Sequence, residues 1–325
     1  MSSRKVVLCG AGFLGSNIAL AVSRANNAAG FLRRIQVTSR NPHKVYCKLT
    51  ETIPRDHLLS PVPVDVTRRE SLKEAFENAD TVVSLVGILQ GSMEQFEAIQ
   101  WKGAENVAQA AAAVGAKLVH ISAIGADSSS KIPYTRTKGL GEEAVLSHCP
   151  NAVVIRPSLV FGPGDGFFNR FAQLSRYLPV LPVFGKGDTL FQPIYVGDIG
   201  RLVEILTRDS LNAACNQVDG KIIEAGGPDI MTYRQIMELV IKYTGRYRPI
   251  ISVPWTVGEI QGEILQRLPT NMFTVTRDQI EQLKIDSVIT STHSNSRSHV
   301  DLKEFMEAHS YKMASVHDVL PHYLK

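Results

Sequence analysis

No aspartate or glutamate occurs before Glu51, although the first fifty residues carry eight lysines and arginines. That acid-free, basic, serine-containing stretch has the bias of a mitochondrial targeting segment. It also holds a glycine motif that begins within ten residues of Met1, which marks the same stretch as folded structure. The two readings stay open at this stage.

Cysteine is scarce as well: Cys9, Cys47, Cys149 and Cys215 stand far apart, with no CxxC or Cys/His spacing. This argues against a disulfide framework and predicts no metal centre, the four thiols being read as reduced. No apolar run approaches the roughly 18 residues that cross a bilayer, so any membrane association is expected to be peripheral. Net charge is only +4 and the basic residues are dispersed, which argues against a nucleic-acid partner. What is present is a chain of 325 residues, 44% hydrophobic and 20% charged, enough for one large globular domain or two joined ones.

Short β-rich runs alternate with helical runs through the first two thirds of the chain. "KVVLC" precedes a glycine-rich turn and the helix-like "SNIALAVSRA"; "IQVTS" follows, then "VPVDV" and "TRRESLKEAF", in which Thr67 and Glu70 have capping-box spacing. "TVVSLVGIL", "GAENVAQAAAA", "KLVHISA", the helix around Tyr134 and "AVVIRPSLVF" continue the series. Continuous apolar strands separated by helices predict an α/β fold, a Rossmann-type doubly wound sheet of parallel strands covered on both faces. After Phe161 glycine and proline loosen the pattern, and beyond Gly227 helical segments dominate, one with apolar Tyr233, Ile236, Met237 and Val240, another opened by Thr276/Gln279 spacing. The expected division is a nucleotide-binding domain over 1–225, with 162–190 contributing to a second lobe, and a smaller, mainly helical substrate or partner lobe over 226–325. The polar "STHSNSRSH" near residue 295 reads as a loop.

Gly10, Gly12 and Gly15 in "VVLCGAGFLGSNIAL" have GxGxxG spacing between a strand and a helix, with Phe13 and Leu14 opening that helix. The first glycine permits a tight turn, the second lets backbone approach a pyrophosphate, and the third allows close packing, while the helix N-terminus favours phosphate charge. An NAD site usually ends its second strand in an acid that binds the ribose 2′-hydroxyl. Here that strand ends in Ser39 and Arg40, so NADP(H) is favoured over NAD(H), the guanidinium serving a 2′-phosphate. Asp65 and Val66 are placed to meet the adenine, and Val86, Gly87 and Ile88 to pass beneath a cofactor ribose, though each also reads as ordinary loop and core.

In "IPYTRTKGLGEEAV" Tyr134 and Lys138 lie four apart and share a helix face. An ammonium beside a phenol lowers the phenol's pKa from about 10, which makes it a better acid or base near neutrality. Ser122, twelve residues before Tyr134, is placed to donate to the same substrate oxygen, so Tyr134, Lys138 and Ser122 are the candidate catalytic residues.

Taken together these residues resemble the short-chain dehydrogenase/reductase superfamily over roughly the first 230 positions. "GAGFLG", "VVSLVGIL", "LVHISAIGAD", "YTRTKGLGEEAV", "IRPSLVFGPGDGFFNRFA", "FQPIYVGDI", "EAGGPDIMTYRQIM" and "LPTNMFTVTRDQIEQLKID" are similar to its atypical branch. That branch is typified by the nucleotide-binding accessory subunit of mitochondrial complex I and its fungal relatives associated with coenzyme Q. The resemblance implies a mitochondrial protein on the matrix side of the inner membrane, a tightly held NADP(H), and an assembly dealing with ubiquinone. It implies that Gly10, Gly12, Gly15 and Arg40 hold the cofactor phosphates, Lys138 the nicotinamide ribose, and Pro157, Ser158, Leu159 and Val160 the nicotinamide end. It leaves the partner open between respiratory complex I and coenzyme Q synthesis enzymes, and it does not imply turnover. A cofactor-holding accessory or assembly protein, an active oxidoreductase on a quinone-like or other apolar carbonyl, and a nucleotide-switched binding module are the readings in play. Two departures bear on them. "QWKG", Gln100 to Gly103, lacks the asparagine common in extended members, and Gly139 and Gly141 within the tyrosine's helix point to close backbone packing.

Overall fold

The computed structural model describes residues 3–29, 32–208, 217–258, 277–290 and 299–324. The Thr276/Gln279 cap, Cys215 and residues 291–298 of the polar segment lie outside the described residues or side chains.

Eight strands form one parallel sheet: β1 Ser3–Cys9, β2 Leu32–Ser39, β3 Val62–Pro63, β4 Thr81–Ser84, β5 Lys117–Ile121, β6 Val153–Pro157, β7 Ile222–Ala225 and β8 His299–Asp301, in the order β8-β7-β6-β5-β4-β1-β2-β3. The order reverses between β1 and β4, where a doubly wound sheet binds ligands at its carboxyl edge. Val6, Val7, Leu8 and Cys9 are all buried, as are Thr81 to Ser84, because both faces of the central strands are covered. One face packs Val7, Cys9 and Val82 against Leu72, Phe76, Val107 and Val145.

By its contacts the chain divides into two units, Met1–Pro157 with Val196–Ala225 and Thr290–Tyr311, and Ser158–Tyr195 with Gly226–Ile289 and Lys312–Lys325. The observed division departs from a cut at residue 225: 290–311 belongs with the first unit. The cause is a strand that the polar sequence around it hides. His299 pairs with Ile222 and Asp301 with Glu224, and the Tyr311 hydroxyl donates to Asp198 at 2.8 Å.

The second unit contains helices Phe168–Tyr177, Tyr233–Thr244, Arg277–Gln282 and Val316–Tyr323 with three two-stranded pieces. Tyr233–Thr244 starts at a Thr232/Gln235 capping box and stops at Gly245, whose φ of +63° ends the helix in the left-handed region. Its face of Tyr233, Ile236, Met237 and Val240 is buried against Phe161, Phe168 and Leu320. The expected Thr67/Glu70 box does not form: the α-helix begins at Leu72 behind a 3-10 turn, and the Thr67 hydroxyl donates to Asp65 instead.

Candidate functional site

All of the expected residues from Gly10 to Lys138 lie in the first unit, on loops and helix starts at the carboxyl ends of the strands. The chain leaves β1 at Gly10, whose N–H donates to the Thr38 carbonyl at 2.9 Å and whose φ of +119° excludes most side chains. A Cβ there would stand 2.9 Å from Leu85 Cβ, and one at Gly15 would stand 2.6 Å from the Gly10 carbonyl oxygen. Gly12 differs: it is exposed, with no atom within 4 Å of the position of a Cβ. Two glycines therefore serve the packing of turn on helix and the third leaves room beside the N-terminus of Phe13–Ala29, with Phe13 and Leu14 partly buried in its first turn. This combination fits the phosphates of a dinucleotide.

Ser39 ends β2 and Arg40 is exposed just after it. Asp65 accepts from the Thr67 backbone at 3.0 Å and its hydroxyl at 2.7 Å, which with smaller contributions from Arg68 and Arg40 hold its carboxyl below the usual range. Arg40 thus has a carboxylate neighbour after all, supplied by β3 rather than by β2. Val66 packs at Gly103, where a Cβ would come within 2.9 Å of its Cγ2, and its carbonyl accepts from Asn106.

Lys138 is 5% exposed, and its ammonium donates to the carbonyls of Val86 at 3.0 Å and Ile121 at 3.1 Å. Burial lowers its pKa to about 8. A Cβ on exposed Gly87 would stand 3.1 Å from Lys138 Nζ, so a side chain there would crowd the ammonium. Tyr134 packs edge-on against Phe96 at 6.3 Å, and burial pushes its hydroxyl up to about 12. The expected lowering of the phenol pKa by Lys138 is therefore overturned: desolvation governs the hydroxyl, and the ammonium is spent on two backbone carbonyls. Ser122 is buried beyond β5 with its N–H on the Ile155 carbonyl and, among the described residues, no partner for its hydroxyl.

Two residues join this cluster that no motif flagged as functional. Gln100, buried in a π-helical turn over Glu97–Lys102, donates to the Ile88 carbonyl at 3.4 Å; its Oε1, which has no partner among the described residues, lies 3.8 Å from a Cβ built on Gly87. His120 meets the Ser84 hydroxyl through Nδ1 and its Nε2 has no partner among the described residues; burial, with Lys138 nearby, lowers its pKa to about 3. The sequence signal for Gln100 was only its place in a segment that lacks the asparagine common in extended members, and for His120 its position two residues before Ser122 on β5. Gly139 and Gly141 have the packing role their positions implied: added Cβ atoms would lie 2.3 Å from Ser128 N and 2.5 Å from the Gln100 carbonyl oxygen.

Pro157 closes β6, where its carbonyl accepts from Ile124, while Ser158, Leu159 and Val160 belong to the second unit. There the Ser158 hydroxyl donates to the Ser287 carbonyl at 2.6 Å and the Leu159 carbonyl accepts from Ile194. Among the described residues no group of three or more His, Cys, Asp or Glu could hold a metal ion, and no helix is long and apolar enough to cross a membrane.

The chain is 27% identical over 259 residues to the Arabidopsis thaliana mitochondrial NADH dehydrogenase (ubiquinone) 1 alpha subcomplex subunit 9, covering 75% of this chain and 63% of that one. It is 29% identical over 183 residues to a ceramide reductase of Caulobacter vibrioides, covering 56% and 54%. It thus spans less than two thirds of either relative's length. In fold it is similar to a Citrobacter sp. triphenylmethane reductase complexed with NADP(H), with a TM-score of 0.70 at 16% identity over 99% of this chain and 100% of that one. The NAD dependent epimerase/dehydratase family matches residues 6–216, and the chain belongs to that family.

Proposed function

We propose that the protein holds NADP(H) as a structural group in an accessory or assembly role within the ubiquinone machinery of mitochondria, on the matrix side of the inner membrane. The observation that carries this reading is the state of the Tyr134/Lys138 pair. The ammonium is bound to the carbonyls of Val86 and Ile121, and the phenol is harder to ionise than a free one. A lysine so held contributes to nucleotide binding without any proton transfer, whereas a general acid works best with a pKa near the operating pH.

In this reading Gly10, Gly12, Phe13, Leu14 and Gly15 receive the pyrophosphate, and Ser39 and Arg40 the 2′-phosphate. Asp65, Val66, Val86, Gly87 and Ile88 line the nucleoside path, Lys138 meets the nicotinamide ribose, and Pro157 to Val160 serve its far end. The second unit carries the substrate or partner surface. Similarity to the mitochondrial complex I subunit supports respiratory complex I or coenzyme Q synthesis enzymes as partners. Nucleotide released by denaturing the purified protein and identified by mass spectrometry tests the cofactor; NAD(H) alone would contradict the role given to Arg40. Copurification from mitochondrial membranes tests the partners, and a cytosolic distribution of the untagged protein would remove the mitochondrial setting.

A second reading, an NADP(H)-dependent oxidoreductase on an apolar carbonyl, is favoured by the buried Ser122 hydroxyl, which has no partner among the described residues, and by similarity to a ceramide reductase. Bound NADPH would supply the hydride; Tyr134 would give the proton and Ser122 would orient the substrate oxygen. Tyr134→Phe expressed in cells lacking the protein separates the two. Full rescue sinks the oxidoreductase, and loss of function with nucleotide still bound sinks the structural role.

A further inference from the structure

The helix Pro133–His148 presents Lys138, and strand β6 ends beside it at Pro157. Each carries a buried charge toward the other. Glu142 stands one helical turn beyond Lys138 and is 4% exposed, and Arg156 immediately precedes Pro157. The Arg156 guanidinium donates to Glu142 as a fork, Nε to Oε1 at 2.9 Å and Nη2 to Oε2 at 2.6 Å. Glu224 of β7 lies 3.8 Å from Nη1 and accepts from the Thr290 N–H, and Asp127 also favours the cation. Planar two-point pairing fixes orientation as well as distance.

A buried pair of this kind adds little net stability over apolar side chains of the same volume, so its effect is to be sought in what it sets nearby. Its neighbour along the helix is Lys138. Burial disfavours the Lys138 ammonium, and Glu142 opposes that effect. The other ionisable groups around the lysine leave this task to Glu142. His120 of β5 is neutral above about pH 3, Tyr134 is neutral up to about 12, and Glu97, on the turn that carries Gln100, is held by Arg136 at 2.8 Å.

We propose that Arg156 and Glu142 form a positioning clamp for Lys138, through which the lysine's helix and the strand end at Pro157 receive the nicotinamide half of the nucleotide together; the clamp rests on the nucleotide-holding reading. NADPH affinity of the purified full chain is to be titrated calorimetrically from about pH 7 to 10, beside urea unfolding without added nucleotide over the same range. In the parent chain the affinity begins to fall, and the Lys138 share of stability begins to rise, near the lysine's pKa of about 8. Glu142→Gln keeps the shape and can still accept from Arg156, and should move both onsets down by about one pH unit. Arg156→Gln leaves the Glu142 charge unshared and should move both up by about as much. Each exchange leaves a buried charge alone and lowers the melting temperature, so the sign of the pH shift is what separates a clamp from a merely structural pair. Opposite shifts support the clamp, and absent or like-signed shifts overturn it. Should Arg156→Gln not fold, the downward shift in Glu142→Gln decides by itself. A parent chain that binds NADPH while the variants keep its onsets overturns the clamp alone, whereas a parent chain that takes up no NADPH overturns the nucleotide-holding reading and the clamp with it.

Discussion

Lys138 donates to the Val86 carbonyl at 3.0 Å, and the next residue, Gly87, has no side chain to cover the ammonium. The lysine thus ties its own helix to the segment just after β4, and through Ile121 to the end of β5. In the proposed reading, nucleotide holding and local stability meet in this one group.

Replacing Lys138 by methionine leaves two buried carbonyls without their donor and is expected to cost about 1–3 kcal/mol, together with the bound nucleotide. Urea unfolding and the nucleotide content of the purified variant measure the two losses separately. The wild-type protein has a pH signature from the same group. Its folded pKa of about 8 lies below the ordinary 10.5, so within that window the unfolded chain binds the proton that the folded chain has given up. This group's contribution to apo-protein stability therefore rises with pH between the two values, while nucleotide affinity falls.

Gly141 and Gly139 should not tolerate alanine despite the gain in helix propensity of about 1 kcal/mol that the exchange brings elsewhere. Both added methyl groups would meet backbone, at 2.5 Å for Gly141 against Gln100 and 2.3 Å for Gly139 against Ser128. A net loss of about 1–3 kcal/mol is expected for each, read as a fall in melting temperature.

His120 is neutral in the folded protein down to about pH 3, whereas the unfolded side chain takes up its proton near 6.5. Stability from this residue is complete above 6.5 and is lost as pH falls toward 3, with a slope of about 1.4 kcal/mol per pH unit. His120→Gln should flatten that limb of the urea midpoint plotted against pH; an unchanged slope would assign the acid sensitivity elsewhere.

Arg40→Ala should weaken NADPH by about 10–100-fold, the effect of losing charge-assisted bonds to a phosphate, and leave NADH nearly unchanged. Calorimetric titration with both nucleotides checks the difference. Asp65→Asn, which removes the nearby carboxylate, is expected to move the preference further toward NADPH.

The parallel sheet was legible because its central strands, such as "KVVLC" and "TVVSLV", are mainly apolar rather than alternating and carry their fold class in their own composition. β8 was not, since His299–Asp301 is short and polar and becomes a strand only by pairing with β7. The glycine motif announced its turn for the same local reason: Gly10 needs its positive φ wherever the loop is placed. The helix around Tyr134 and Lys138 was also legible, and Pro133 stands at its start.

What the lysine binds, and whether the tyrosine ionises, depended on atoms distant in sequence. Val86 lies 52 residues from Lys138, and desolvation of Tyr134 comes from the packing around it. Gln100 and His120 enter the site by the same route, through a π-helical turn and a buried strand end. The sequence determined the α/β class, the glycine turn and the Tyr134 helix, because those follow from local periodicity and backbone freedom. Tertiary structure decided the charge state and bonding of the site, because desolvation and hydrogen bonding are properties of the assembled neighbourhood.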